Sequence, residues 1–454
     1  MFSRKRLCLL SASCLLLLAS VGIAQVSPEE AAKLKTTLTP MGAERAGNAN
    51  GTIPAWTGGF TNKTGFNNGR RPDPFASDKV AFTITAQNMD KHADKLSDGQ
   101  KALMKKYPST YVMNVYQTRR TFANPQYVYD NTFKNATRAK RVNGSTGLHP
   151  ANVIGGVPFP IPHDGAEVIW NYLLHYRSVT SESVSNNYVI AADGRRSLLG
   201  RIYDYDEYPY YLPNMTPEKL GGVFYTMRTN NEAPPIRTGE GVLGLMGFDE
   251  ASTEEWTYLP GQRRTRKLPN PCCDTPAPQV SGQIAIDDAQ VLTGSHMERM
   301  NWKLLGKKEM YVAYNSNMAW VPKSDGDRIM PHHLNPKYIR WELHRVWVVE
   351  ATRKPNFRSQ VARSIYYIDE DSWTALMADR WDESGHLWKT NLGVAMAAPD
   401  LPSILCHDSA NYDLVSGSWA TLFMMNEMPY QYRAVPPSKP TDWTPAALAG
   451  AGVR

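Results

Sequence analysis

From Tyr188 onward the chain alternates apolar and polar residues in short runs broken by turn-forming residues, and this period of two restricts the fold more than any other feature. Successive side chains of a strand point to opposite faces, so each run reads as a strand with one side turned to a core. Tyr188 to Ala191 and Leu198 to Tyr203 flank Asp193-Gly194, a dipeptide suited to the positive φ of a tight hairpin. Further strands are expected at Trp256 to Leu259, Glu309 to Tyr314, Trp341 to Ala351, Ser364 to Asp369, Ala375 to Trp381 and Leu387 to Lys389. In the longest, Trp341, Leu343, Trp347, Val349 and Ala351 share one face and Glu342, His344 and Glu350 the other, which predicts one buried and one wet side. Short turns such as Asp382-Glu383-Ser384-Gly385 join successive strands into an antiparallel meander. Strands and helices do not alternate regularly, so a doubly wound parallel sheet is disfavoured. With 23 Tyr and 12 Trp to bury and few helices to bury them, the expected fold is α+β, a large curved antiparallel sheet with helices and loops on its concave face.

Helix signals concentrate before the strands. Ser27 with Pro28 and Glu30 forms a capping box for a short helix through Leu34. Residues 38–74 are rich in Gly, Asn, Pro and Thr but carry Trp56 and Phe60, which marks an ordered loop or extended arm. Helices are predicted over Ala86 to Leu96 and, behind a Ser97/Gln100 box, Asp98 to Tyr107. A further helix is capped by Asp164 and Glu167, and its stripe of Ile169, Trp170, Leu173 and Leu174 is fit to pack on a sheet.

The N-terminus places Arg4, Lys5 and Arg6 before an apolar run from Leu7 to Ala19 and the small residues of Gly22-Ile23-Ala24, the pattern of a secretory signal peptide over residues 1–24. The run is shorter than the roughly 20 residues that a membrane-spanning helix needs. Cys14 lies inside it, where a lipoprotein cysteine would not. A single large domain over residues 25–454, working in the periplasm, is therefore expected. The formal charge of +7 includes the leader and forms no long basic block, which argues against nucleic-acid binding. Beyond the leader stand Cys272, Cys273 and Cys406, so one intrachain disulfide at most can form, between Cys272 or Cys273 and Cys406. A zinc site needs more ligands than these.

Catalytic motifs are lacking. Gly239-Glu240-Gly241-Val242-Leu243-Gly244 fits the spacing of a dinucleotide loop but neither follows a predicted strand nor opens a helix, and reads as a glycine loop. His332-His333 and His344 lack the helical spacing of a metal hydrolase. Cys406-His407-Asp408 are sequence neighbours, whose side chains diverge, and Ser416-Gly417-Ser418 lacks the flanking glycines of a nucleophile elbow. Asp204, Asp206 and Glu207 read as a polar loop. No enzyme activity, metal or cofactor is expected. One segment stands out: after the Pro260-Gly261 turn come Arg263, Arg264, Arg266 and Lys267, a basic hairpin arm able to hold an anionic head group or a partner's acidic face, or simply a charged strand edge.

That segment, together with Ala43-Glu44-Arg45-Ala46-Gly47-Asn48, Ile53-Pro54-Ala55-Trp56-Thr57-Gly58-Gly59, Gly155-Gly156-Val157-Pro158-Phe159-Pro160 and Arg340-Trp341-Glu342-Leu343-His344-Arg345-Val346-Trp347, resembles domain-of-unknown-function family 1329 along nearly the whole exported chain. Cys272-Cys273 departs from the family's usual pattern. The resemblance implies a Gram-negative exported protein with an unclosed half-barrel like those of the lipoprotein-sorting proteins LolA and LolB. It also implies an association with inner-membrane transporters of the resistance-nodulation-division type; an outer-membrane protein is the other candidate partner. The expected function is a periplasmic carrier of lipid or another hydrophobic molecule, with Trp341 and Trp347 on the apolar sheet face and Arg263, Arg264 and Arg266 as candidate ligand or partner contacts. The alternatives are an assembly factor that binds its partner through the 38–74 arm and, less favoured, a secreted hydrolase.

Overall fold

Long strands dominate the computed structural model, which describes residues 26–141, 152–249, 251–269, 275–280, 282–288, 297–406 and 408–452. The leader, Cys272 and Cys273 lie outside the described residues. Two short strands come first, β1 (Phe82–Ile84) and β2 (Met113–Val115). A first meander follows: β3 (Thr180–Ile190), β4 (Arg196–Glu207), β5 (Val223–Ala233), β6 (Gly241–Gly247), β7 (Glu254–Leu259) and β8 (Arg264–Lys267). A second comprises β9 (Met300–Ala313), β10 (Trp341–Arg353), β11 (Arg363–Asp369), β12 (Ala375–Trp381) and β13 (Leu387–Gly393). After a separate small hairpin, β14 (Met396–Ala398) and β15 (Ser403–Leu405), it closes with β16 (Ser409–Asp413) and β17 (Trp419–Met424), and β18 (Arg433–Ala434) adds to β3.

The meanders fuse where β17 lies antiparallel to β3, with Trp419 opposite Ile190, so late and early strands meet in the middle of one sheet. Pairing is antiparallel except at Val115 of β2 and Trp341 of β10. Among the described residues β8 pairs only with β7 and β9 only with β10, so the sheet stays open. The hairpin predicted at Asp193-Gly194 joins β3 to β4, with Gly194 at φ +85°.

The helices are α1 (Pro28–Ala32), α2 (Asp98–Lys106), α3 (Gln126–Arg138), α4 (Gly165–Leu173), α5 (Pro217–Leu220) and α6 (Pro445–Gly452). Asp164 caps α4 by accepting from the Glu167 N–H at 3.1 Å. Every residue of this helix is buried, and Trp170 sits against Phe224 and Phe248 while the helix packs on β9 and β10. At about 4.8 Å per strand, β10 and β5 would lie roughly 40 Å apart in a flat sheet, whereas nine helical residues span only about 14 Å. The sheet therefore curls around α4. Close approach is specific at Gly165, where a Cβ would stand 2.9 Å from the Lys303 backbone.

Three expectations need correction, and one helix is an addition. Residues 89–95 form 3₁₀ turns rather than a helix over Ala86 to Leu96, because the Asn88 side chain bonds the Thr85 N–H and the Thr83 carbonyl and ties off a turn there. Helix α3, which follows Pro125, was not foreseen. Gly241 to Gly247 are strand β6, not a glycine loop, held on both sides by β5 and β7. Both faces of β10 are buried: Glu342 and His344 are 0% and 2% exposed, because residues 119–120 and Asn315 cover the polar side. The 38–74 segment is, as expected, ordered without regular structure. It buries Met41, Ile53 and Trp56, and Arg71 grips Asp400 through two hydrogen bonds of 2.9 and 2.8 Å.

Candidate functional site

Strand register assembles one wall of an apolar cavity. Asp204 of β4 pairs with Thr229 of β5, Asp206 with Met227, and Met227 in turn with Gly244 of β6, which faces Glu255 of β7. Cross-strand partners share a face, so Asp204, Asp206, Tyr225, Met227, Thr229, Met246 and Glu255 all point to the concave side. Gly244 leaves room for the Met227 side chain, which a Cβ there would meet at 3.1 Å. The resulting cavity has about 110 Å³ open to the centre of a water molecule. Leu173 of α4 and Ile202, Phe224, Leu422 and Phe423 of the sheet supply apolar wall, and Ala277, Val280, Ile284 and Ile286 cover it from the β8–β9 connection. On the far side of that connection lies a more polar cleft of about 330 Å³, where Asp288 is paired with Lys389 at 2.7 Å and Arg380 at 3.3 Å.

Three carboxyls face the apolar cavity with one guanidinium, Arg177. Arg177 donates to His175 Nε2 at 3.0 Å and to Tyr208 Oη at 2.9 Å. Burial pushes Asp206 up to about 6 even though the Tyr225 hydroxyl donates to it at 2.6 Å and the charge of Arg177 lies near. Asp204 is raised well above the ordinary carboxylate range by burial and by the neighbouring Asp206. Burial alone raises Glu255, 1% exposed, to about 7. Asp204 Oδ2 and Glu255 Oε1 have no hydrogen-bond partner among the described residues. Such groups are costly in an apolar wall, which makes these two carboxyls candidates for a functional site.

The sequence profile of the family described as "Protein of unknown function (DUF1329)" matches residues 83–449. The chain belongs to that family. An uncharacterized protein of Pseudomonas aeruginosa is 38% identical to this DUF1329 chain over 445 residues, covering 96% of each. Among solved structures, a DUF1329 family protein from Desulfovibrio piger overlaps 60% of the chain and 92% of its own at 13% identity and TM-score 0.41. A LolA superfamily protein from Nitrosomonas europaea overlaps 63% of the chain and 100% of its own at 13% identity and TM-score 0.38. Overlaps this loose carry no functional argument.

The residues singled out from the DUF1329 sequence lie apart from the cavity. Arg263 turns the β7–β8 hairpin at φ +49°, and Arg264 and Arg266 are exposed on the sheet's outermost strand. Trp341 is 1% exposed in the core, and Trp347 stacks on Trp373 at 6.0 Å with Lys307 Nζ 5.0 Å above its ring. Strands β8 and β10 sit toward opposite ends of the strand order, so the arginines and tryptophans do not converge. Cys406 is a half-buried thiol raised by burial, while its proposed partners, Cys272 and Cys273, lie outside the described residues. Asp408 is paired with Arg328, and His332 stacks on Tyr107. Among the described residues no three or more His, Cys, Asp or Glu are grouped to hold a metal ion.

Sequence reasoning took Asp204, Asp206 and Glu207 for a polar loop and passed over Glu255, because it ended one strand at Tyr203 and began another at Trp256, whereas β4 runs on to Glu207 and β7 starts at Glu254. The signal was present: Ile202, Asp204 and Asp206 continue the period of two with Tyr203 and Tyr205 on the other face.

Proposed function

We propose that this chain is a periplasmic binding or carrier protein for lipid or another hydrophobic molecule, taken into the cavity between β4–β7, α4 and the cover of Ala277, Val280, Ile284 and Ile286. The observation that supports this most is the apolar lining on the concave face of a sheet curled around a buried helix. Each methylene moved from water into such a wall contributes about 0.8 kcal/mol, so a hydrophobic chain is held without any dedicated contact. The leader pattern supports export, and no helix among the described residues is long and apolar enough to cross a membrane. The family resemblance adds a transporter of the resistance-nodulation-division type, or an outer-membrane protein, as the partner that delivers or receives the cargo. Native mass spectrometry and lipid extraction of protein purified from its own periplasm test the reading. A defined bound lipid is the expected result, and an empty protein across repeated preparations would sink it.

An assembly factor acting through residues 38–74 is the second reading, favoured by the exposed stretch around Asn62 and Lys63 on a segment otherwise anchored in the body. Deleting the whole segment would strip Met41, Ile53 and Trp56 from the core. Substitution of Asn62 and Lys63, followed by pull-down from envelope extracts, is the informative comparison.

A further inference from the structure

Most buried carboxyls of this protein have a partner: Glu342 has Arg340, Asp371 has Arg120, Glu370 has Lys307 and Asp379 has Thr390. Asp204 and Glu255 depart from that rule, and both depart from it in the same cavity. Among the described residues no donor is aimed at Glu255 Oε1 or Asp204 Oδ2, both buried beneath an apolar wall, and the guanidinium that lines the cavity with them is engaged by Tyr208 and His175. A carboxylate in such a place is an acceptor suited to a cationic N–H donor, since a charge-assisted hydrogen bond contributes more than a neutral one and more still away from water.

We infer that the cargo of this cavity is an amphipathic amine, whose ammonium group is received by Glu255 or, three strands away on the same wall, by Asp204, while its hydrocarbon body lies along Ile202, Met227, Met246 and Ile284. The inference rests on the carrier reading and narrows it. The same geometry selects against fatty acids and other cargo with an anionic end in the cavity, because such an end would face three carboxyls. The basic residues Arg263, Arg264 and Arg266 therefore do not serve as a head-group clamp for this cavity, which they do not line. The rise of Glu255 to about 7 through burial fits an acid that is neutral in the empty site and ionises when a cation arrives.

The test uses the exported full chain and three ligands of one chain length, decylamine, decanol and decanoate, each competing with the uncharged fluorophore N-phenyl-1-naphthylamine at neutral pH. Decylamine should displace the fluorophore at a concentration at least about tenfold below that of decanol, with decanoate the weakest. Glu255→Gln should cut decylamine's advantage to less than about threefold, and the double variant with Asp204→Asn should abolish it. Should the double variant fail to fold, Glu255→Gln alone decides the matter. Decanol or decanoate binding as well as decylamine would overturn the amine inference while leaving the carrier reading intact. Failure of the fluorophore and all three ligands to bind would overturn both.

Discussion

The two halves of the sheet bury acidic side chains in opposite ways. Around β10, Glu342 accepts from Arg340, from the Arg119 backbone N–H at 2.9 Å and from Asn315, and lies 3.0 Å from His344 Nε2. The other nitrogen of His344 is 3.6 Å from Asp369, which accepts from Tyr314 and Ser372. Burial by itself would lower His344, but bonds to Asp369 and Glu342 hold it up at about 9. Nearby, Arg120 binds Asp371 and the Glu44 carbonyl, and Lys307 joins Glu44 to Glu370. Buried charge there fastens the 38–74 segment to the sheet. Around β4–β7, by contrast, Asp204 and Glu255 are also buried, yet their Oδ2 and Oε1 have no partner among the described residues. Burial alone therefore does not define a carboxyl's role. Where partners surround it, it is a joint, and where none is described it is free to meet the cargo inferred above.

The comparison breaks first at its strongest joint. Arg340→Met leaves Glu342 charged and buried, and should lower unfolding free energy by about 3–5 kcal/mol in urea titration; a near-neutral result would mean the network is not holding the fold. Glu255→Gln should do the reverse. With a folded pKa near 7 against a lower unfolded value, wild type takes up a proton on folding and loses stability as pH rises toward 7. The variant, which does not titrate, should be about 2–3 kcal/mol more stable than wild type at pH 8 and equal to it near pH 4. An equal or less stable variant at pH 8 would show that Glu255 has a partner in solution.

His344 has the sign of a raised base. Its contribution is complete below about pH 6.5 and is lost as pH rises through about 9, so stability should fall by about 1 kcal/mol per pH unit between pH 7 and 8.5. Loss of that slope in His344→Gln, followed by NMR of the imidazole in wild type, checks the assignment. The smallest effect is expected at the sheet edge: Arg264→Gln and Arg266→Gln should shift stability by less than about 0.5 kcal/mol and leave decylamine binding unchanged. A large loss of binding would make the edge arginines part of the site.

Much of the architecture was legible in the residues themselves. Strand periodicity, the Asp193-Gly194 turn and the caps at Ser97 and Asp164 are local, set by steric and hydrogen-bonding preferences of neighbouring residues, and they reappear in β3, β4, α2 and α4. Local preference also decided the antiparallel pairing of β3 with β4, β11 with β12 and β12 with β13, whose turns are too short for crossovers. What joins β17 to β3, curls the sheet around α4 and closes the polar face of β10 is contact between residues far apart in the chain. The site belongs to that second category. Asp204, Asp206 and Glu255 are ordinary acids in sequence, and only strand register, together with the apolar cover supplied by residues 275–288, withdraws water and partners from them, because a carboxyl's charge is priced by what surrounds it in space.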